Sequence, residues 1–132
     1  MKPKLFLIAV TACMIVACNS PIKNGDSVHL SIKNTTNVSF NKNNSLSCTT
    51  GNKTPFIISI DKNNKIQLST EFGDNLYLEN YYVNISKNKN ATLFSLDTIE
   101  GDYYLKTENN YYLDCNGSEI YETEKPTILI RK

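Results

Sequence analysis

From Ser27 to the C-terminus, apolar and polar residues alternate with period two. Val28-His29-Leu30-Ser31-Ile32 shows the pattern, as do Val38-Ser39-Phe40, Ile66-Gln67-Leu68 and Leu76-Tyr77-Leu78. Such alternation marks half-buried strands, each with one face inward. Helical spacing with caps is absent. Asparagines fall in clusters (Asn41, Asn43, Asn44; Asn63, Asn64; Asn88, Asn90; Asn109, Asn110) and mark loops, because Asn tolerates turns and left-handed backbone. The pattern predicts an all-β chain.

The alternation has a longer period. VHLSI begins at Val28, IQLST at Ile66 and YYLKT at Tyr103, spacings of 38 and 37. Phe40 follows Leu30 by ten residues and Leu78 follows Leu68 by ten, whereas Leu113 follows Leu105 by eight. Each unit then has Leu46, Val83 with Ile85, or Ile120, and closes on an apolar strand: PFIISI, ATLFSL or PTILI. Three four-strand units of about 37 residues (28–65, 66–102 and 103–132) resemble the β-trefoil, a six-stranded barrel capped by three hairpins. Another small β-barrel or a β-sandwich is the alternative. The repeat predicts a core of Val28, Leu30, Val38, Phe40, Ile58, Ile60, Ile66, Leu68, Leu76, Leu78, Phe94, Leu96, Tyr103, Leu105, Leu113, Ile128 and Ile130.

The N-terminus breaks the β pattern. Met1-Lys2-Pro3-Lys4 is basic, and Leu5 to Val16 is apolar apart from Thr11 and Cys13, the layout of a signal peptide. That run is too short for a span, which needs about 20 apolar residues. It ends on Ile15-Val16-Ala17-Cys18, which resembles the lipobox of bacterial lipoproteins. The resemblance implies that residues 1–17 are removed, that Cys18 carries a diacylglycerol, and that its new amino group is acylated, a lipid anchor in the membrane. A plain secretory signal is the alternative. Asn19 in place of an aspartate points, by the sorting rule of such lipoproteins, to the outer membrane. Residues 18–27, with Pro21 and Gly25, read as a short tether, and 28–132 as the all-β domain.

Composition narrows the chemistry. Removing the signal leaves 115 residues, one domain with a modest core, and 12 basic residues against 13 acidic ones. A near-neutral domain without a Lys/Arg cluster is a poor nucleic-acid binder, and Lys87-Asn88-Lys89 reads as a solvated loop. Asn84-Ile85-Ser86 and similar triplets read as accidents of composition. Cys13 leaves with the signal and Cys18 is acylated, so Cys48 and Cys115 are left to form a disulfide, or two separate buried thiols. One histidine, His29, and two sulfurs do not complete a metal shell, and no cofactor motif is present. His29 lies in the outward phase of its strand. Asp97, Glu100, Asp102, Glu119, Glu122 and Glu124 are turn or surface carboxylates with no specified cleft. The chain therefore reads as non-enzymatic.

Tyrosine is the sharper feature. All eight lie between Tyr77 and Tyr121. Alternation turns Tyr103 and Tyr111 inward, at the positions of Val28 and Val38, and Tyr77, Tyr104 and Tyr112 outward. Tyr81 and Tyr82 fall in the hairpin after Leu78. Outward tyrosines suit sugar stacking or a protein interface, so Tyr77, Tyr81, Tyr82, Tyr104 and Tyr112 form the candidate ligand-binding set. Cross-strand pairing that stiffens the sheet is the alternative. Ricin-type trefoils carry Gln-x-Trp near each repeat end, and this chain has no tryptophan, so a lectin site does not follow from the fold. Tyr112-Leu113-Asp114-Cys115-Asn116-Gly117 resembles the Tyr-x-Cys-x-x-Gly segment of membrane-bound lysozyme inhibitors, with altered spacing and near the C-terminus. Three functions are then in view: an envelope module binding an envelope or host protein or glycan, an inhibitor of a hydrolase such as lysozyme, or an assembly lipoprotein of a secretion or pilus system.

Overall fold

A computed structural model describes residues 22–32, 36–40, 46–51, 53–117 and 119–132. The signal peptide, Cys18 and the first asparagine cluster lie outside them. Twelve strands make up the described chain: β1 (Ser27–Ile32), β2 (Thr36–Phe40), β3 (Leu46–Thr49), β4 (Phe56–Ile60), β5 (Ile66–Thr70), β6 (Asn75–Glu79), β7 (Tyr82–Ser86), β8 (Ser95–Ile99), β9 (Asp102–Lys106), β10 (Tyr112–Asn116), β11 (Glu119–Thr123) and β12 (Ile128–Arg131). All pairings are antiparallel, and no helix occurs among the described residues. The protein is all-β.

Six strands close on themselves. β1 pairs with β4, β4 with β5, β8 with β9, β9 with β12, and β12 with β1. Ile66 and Phe94 exchange backbone hydrogen bonds of 2.7 and 2.8 Å, which joins β5 to the start of β8 and completes the ring. Closure leaves the ring no free edge. The other six strands form hairpins β2–β3, β6–β7 and β10–β11.

Local contacts repeat at the spacing of the sequence units. Asn37 Nδ2 donates to the Gly51 carbonyl at 3.1 Å, and Asn75 Nδ2 to that of Lys89 at 2.9 Å. The Phe40 amide donates to Thr54 Oγ1 at 2.8 Å, and the Leu78 amide to Thr92 Oγ1 at 2.7 Å. The turns at Thr70–Asp74 and Thr107–Tyr111 share one design, in which the threonine hydroxyl caps two amides of its own turn.

The core holds the residues that alternation turns inward, with five at its margin: Phe40, Ile60, Leu78, Leu96 and Tyr103 are only partly buried. Phe56, Leu46, Val83 and Ile120 join it, Phe56 in the same phase as Ile58. Ile22 is a correction. Assigned to the tether, it is 4% exposed and packs in the core. Hydrogen bonds hold its segment down: Gly25 N donates to the Ile58 carbonyl at 2.8 Å, and Ile60 N to Asn24 Oδ1 at 2.8 Å.

The third unit is also corrected. Val38, Leu76 and Leu113 are buried and lie eight residues after Leu30, Leu68 and Leu105 respectively. Cys115, not Leu113, thus matches the part-buried Phe40 and Leu78. Tyr111 falls outside the strand, in the turn before β10, and is exposed. Cys48 and Cys115 are bonded, with Cα atoms 6.4 Å apart, within the usual disulfide range. The Cys48 amide donates to the Gly117 carbonyl at 3.0 Å, so hairpins β2–β3 and β10–β11 are joined twice.

Candidate binding surface

Apart from Tyr103, at the margin of the core, the tyrosines divide into three places. Tyr77 and Tyr82 share the first, on hairpin β6–β7. A cleft of about 410 Å³ opens between them, lined also by Glu79, Asn84 and Glu119. Tyr82 faces Tyr121 across β7 and β11 as an edge-to-face pair with centroids 6.5 Å apart. Burial, then the Asp114 carboxylate, holds the Tyr121 hydroxyl above the ordinary phenol range. The Lys89 ammonium sits 5.8 Å over the Tyr77 ring.

Tyr104 and Tyr112 share the second place, and here one expected ligand-binding residue is corrected. Tyr104 lies on the outer face of the ring, as alternation requires, but is only 8% exposed. It pairs with buried Leu129 on β12, and Tyr112 packs edge-on against it at 6.3 Å. The Tyr112 hydroxyl donates to Asp97 Oδ2 at 2.5 Å, and Lys106 Nζ lies 5.3 Å over its ring. That hydrogen bond favours the protonated phenol and raises its pKa, with burial adding to the effect. An outer-face ring covered on both sides is a small secondary core. It stabilises the barrel wall and leaves Tyr104 little surface for a ligand.

The third place combines Tyr81 with Tyr111, which the sequence turned inward. The two line a cleft of about 490 Å³ with Glu122, Glu124 and Lys125. Tyr81 is 69% exposed and Tyr111 36%. Glu122 Oε1 accepts from Thr107 Oγ1 at 2.6 Å and from Asn109 Nδ2 at 3.3 Å, while its buried Oε2 has no partner among the described residues. Tyr82, next to Tyr81, is 44% exposed and links this cleft to the first. Tyr81, Tyr82 and Tyr111 are thus the exposed tyrosines among the described residues, and Phe72, in the turn before β6, is exposed as well.

The turn that carries Tyr81 is unusual. Glu79 pairs with Tyr82, so Asn80 and Tyr81 are the whole turn, with φ of 55° and 72°. Two positive φ values define the hairpin turn that favours Asn-Gly, because a bulky side chain is strained there. The turn between Ile99 and Asp102 also has two positive φ values, and there the second residue is Gly101. A tyrosine in the glycine position costs about 1 kcal/mol. This signal was readable in the sequence as two alternating runs meeting at Asn80-Tyr81.

His29 lies away from all three places. It lines a polar cleft with Thr36, Lys53, Arg131 and Lys132, and burial, then Lys53, lowers its pKa, so the neutral imidazole is favoured. Arg131 and Lys132 pair with Asp102 and Asp26 at 3.5 and 3.3 Å. No group of three His, Cys, Asp or Glu side chains suited to a metal occurs among the described residues, and no described helix is long and apolar enough to cross a membrane. No protein-family model and no curated protein matches the chain.

Proposed function

We propose that this chain is a lipid-anchored, non-enzymatic binding module of the bacterial envelope. Its scaffold is a β-trefoil, and it engages a protein or glycan through Tyr81, Tyr82 and Tyr111. The observation that carries this reading is Tyr81, a 69% exposed aromatic ring at φ 72°, where glycine would be unstrained. Local strain held in place by its surroundings is a mark of functional positions. Exposed tyrosine offers an apolar ring and a hydroxyl at low entropic cost. The trefoil is supported by the closed six-strand ring, the three hairpins, and contacts that recur at 37 or 38 residues. The anchor is supported by Lys2, Lys4, the apolar run and Ile15-Val16-Ala17-Cys18. The reading as a binder draws on the lack of a nucleophile, metal or phosphate motif in the sequence.

The test is retention of envelope proteins and glycans on immobilised protein, with Tyr81, Tyr82 and Tyr111 replaced by serine. Loss of a partner with the fold intact supports the reading, and unchanged retention refutes it. Inhibition of a hydrolase such as lysozyme is the second reading. It is favoured by the Cys48–Cys115 disulfide and by a tight hairpin tip able to enter a cleft. A lysozyme assay with micromolar protein decides it.

A further inference from the structure

The chain enters the fold at one end of the barrel. Ile22 is buried there, and Asn24 and Gly25 are bonded to β4. The turn from β4 to β5 lies at the same end. So do Lys132, paired with Asp26, and Asp102 after the β8–β9 turn, paired with Arg131. The connectivity sets the opposite end. β1, β5 and β9 leave this end and lead into the three hairpins, and β4, β8 and β12 return to it. Tyr81 and Tyr82 therefore lie beyond the far ends of the strands.

A cleft of about 530 Å³ opens beside the entry point, walled by Ile22, Ile60, Ile66 and Leu96. Lys23 and Lys65 rim it, and exposed Lys62 is in the adjoining turn. Asp61, the acid of that turn, is committed to the amides of Asn63 and Lys65 at 2.8 and 2.9 Å. Only four residue steps separate Cys18 from Ile22, at most about 14 Å of extended chain.

We infer that this end of the barrel, with its apolar cleft and Lys23, Lys62 and Lys65, lies against the phospholipid headgroups of the anchoring membrane and points Tyr81 and Tyr82 away from it. The inference rests on the lipid-anchored reading above. A fatty chain on Cys18 cannot reach the bilayer with so short a tether unless Ile22 is close to the surface. Basic side chains near an anionic surface are attracted to it, and amide and apolar groups suit the interfacial region.

The experiment uses the lipidated chain in vesicles of phosphatidylethanolamine and phosphatidylglycerol, with the Cys48–Cys115 bond kept oxidised. A fluorophore is placed at Asn63→Cys or, at the other end, at Glu79→Cys, and a headgroup-labelled lipid quenches it. Quenching several-fold stronger at position 63 than at 79, and reduced by Lys62→Glu with Lys65→Glu, is the expected result. Equal quenching at the two positions, or no effect of the lysine changes, overturns the inference while leaving the anchor intact. Failure of the chain to partition into vesicles overturns the anchor itself.

Discussion

The backbone carbonyl of Tyr81 accepts a hydrogen bond of 2.9 Å from the amide of Glu122. It ties the tip of hairpin β6–β7 to β11, beside the paired rings of Tyr82 and Tyr121. A left-handed tyrosine persists only where neighbours over-determine its backbone. The same bond places the Tyr81 ring beside the Glu122 cleft that Tyr111 shares. Strain, tether and exposure meet in one residue.

Tyr104 and Tyr81 should respond in opposite ways. Tyr104→Ala removes a buried ring from between Leu129 and Tyr112 and is expected to destabilise the fold by about 3 kcal/mol. Tyr81→Ser should leave stability within about 0.5 kcal/mol, since the side chain is exposed. Urea midpoints of the two variants check this.

Stability should fall at alkaline pH. Tyr112 and Tyr121 have pKa values raised in the folded chain above the ordinary phenol value of about 10. Their contribution is complete below that value and is lost as pH rises from it through the folded pKa, because the unfolded chain releases its protons first. Phenylalanine at both positions should flatten the alkaline limb of a melting-temperature profile.

Reducing Cys48–Cys115, which closes a separation of 67 residues, should lower stability by about 4 kcal/mol in the chain-entropy model. Non-reducing peptide mapping should recover the linked pair. Denaturant midpoints with and without reductant then give the difference.

Ile22→Ala should cost about 3 kcal/mol, the loss for a buried aliphatic side chain, although the residue precedes the first strand. A residue in a flexible tether would show no change in the same unfolding curve.

Much of the fold was legible. Period-two alternation located the strands of an all-β chain. Three residues show where that reading ends. Pro21 and Gly25 made Ile22 look like linker, but burial there depends on a cleft formed by Ile60, Ile66 and Leu96, far along the chain. Alternation put Tyr104 on the correct face, yet a face does not reveal its cover, which Leu129 and Tyr112 supply. Tyr111 was misread because Leu113 was aligned with Phe40 and Leu78, a shift of two that left the turn residue in a strand position. Tyrosine exposure was therefore half legible: Tyr81 and Tyr82 are exposed as their hairpin position implied, Tyr111 is exposed where alternation turned it inward, and Tyr104 belongs to the wall.

The most direct measurement replaces Tyr81 with glycine and reads stability and partner retention on the same protein. Relief of the left-handed strain should raise stability by about 1 kcal/mol, while retention of the envelope protein or glycan falls. A variant that is more stable and still retains its partner as well as the parent would contradict the central claim that Tyr81 is kept for binding.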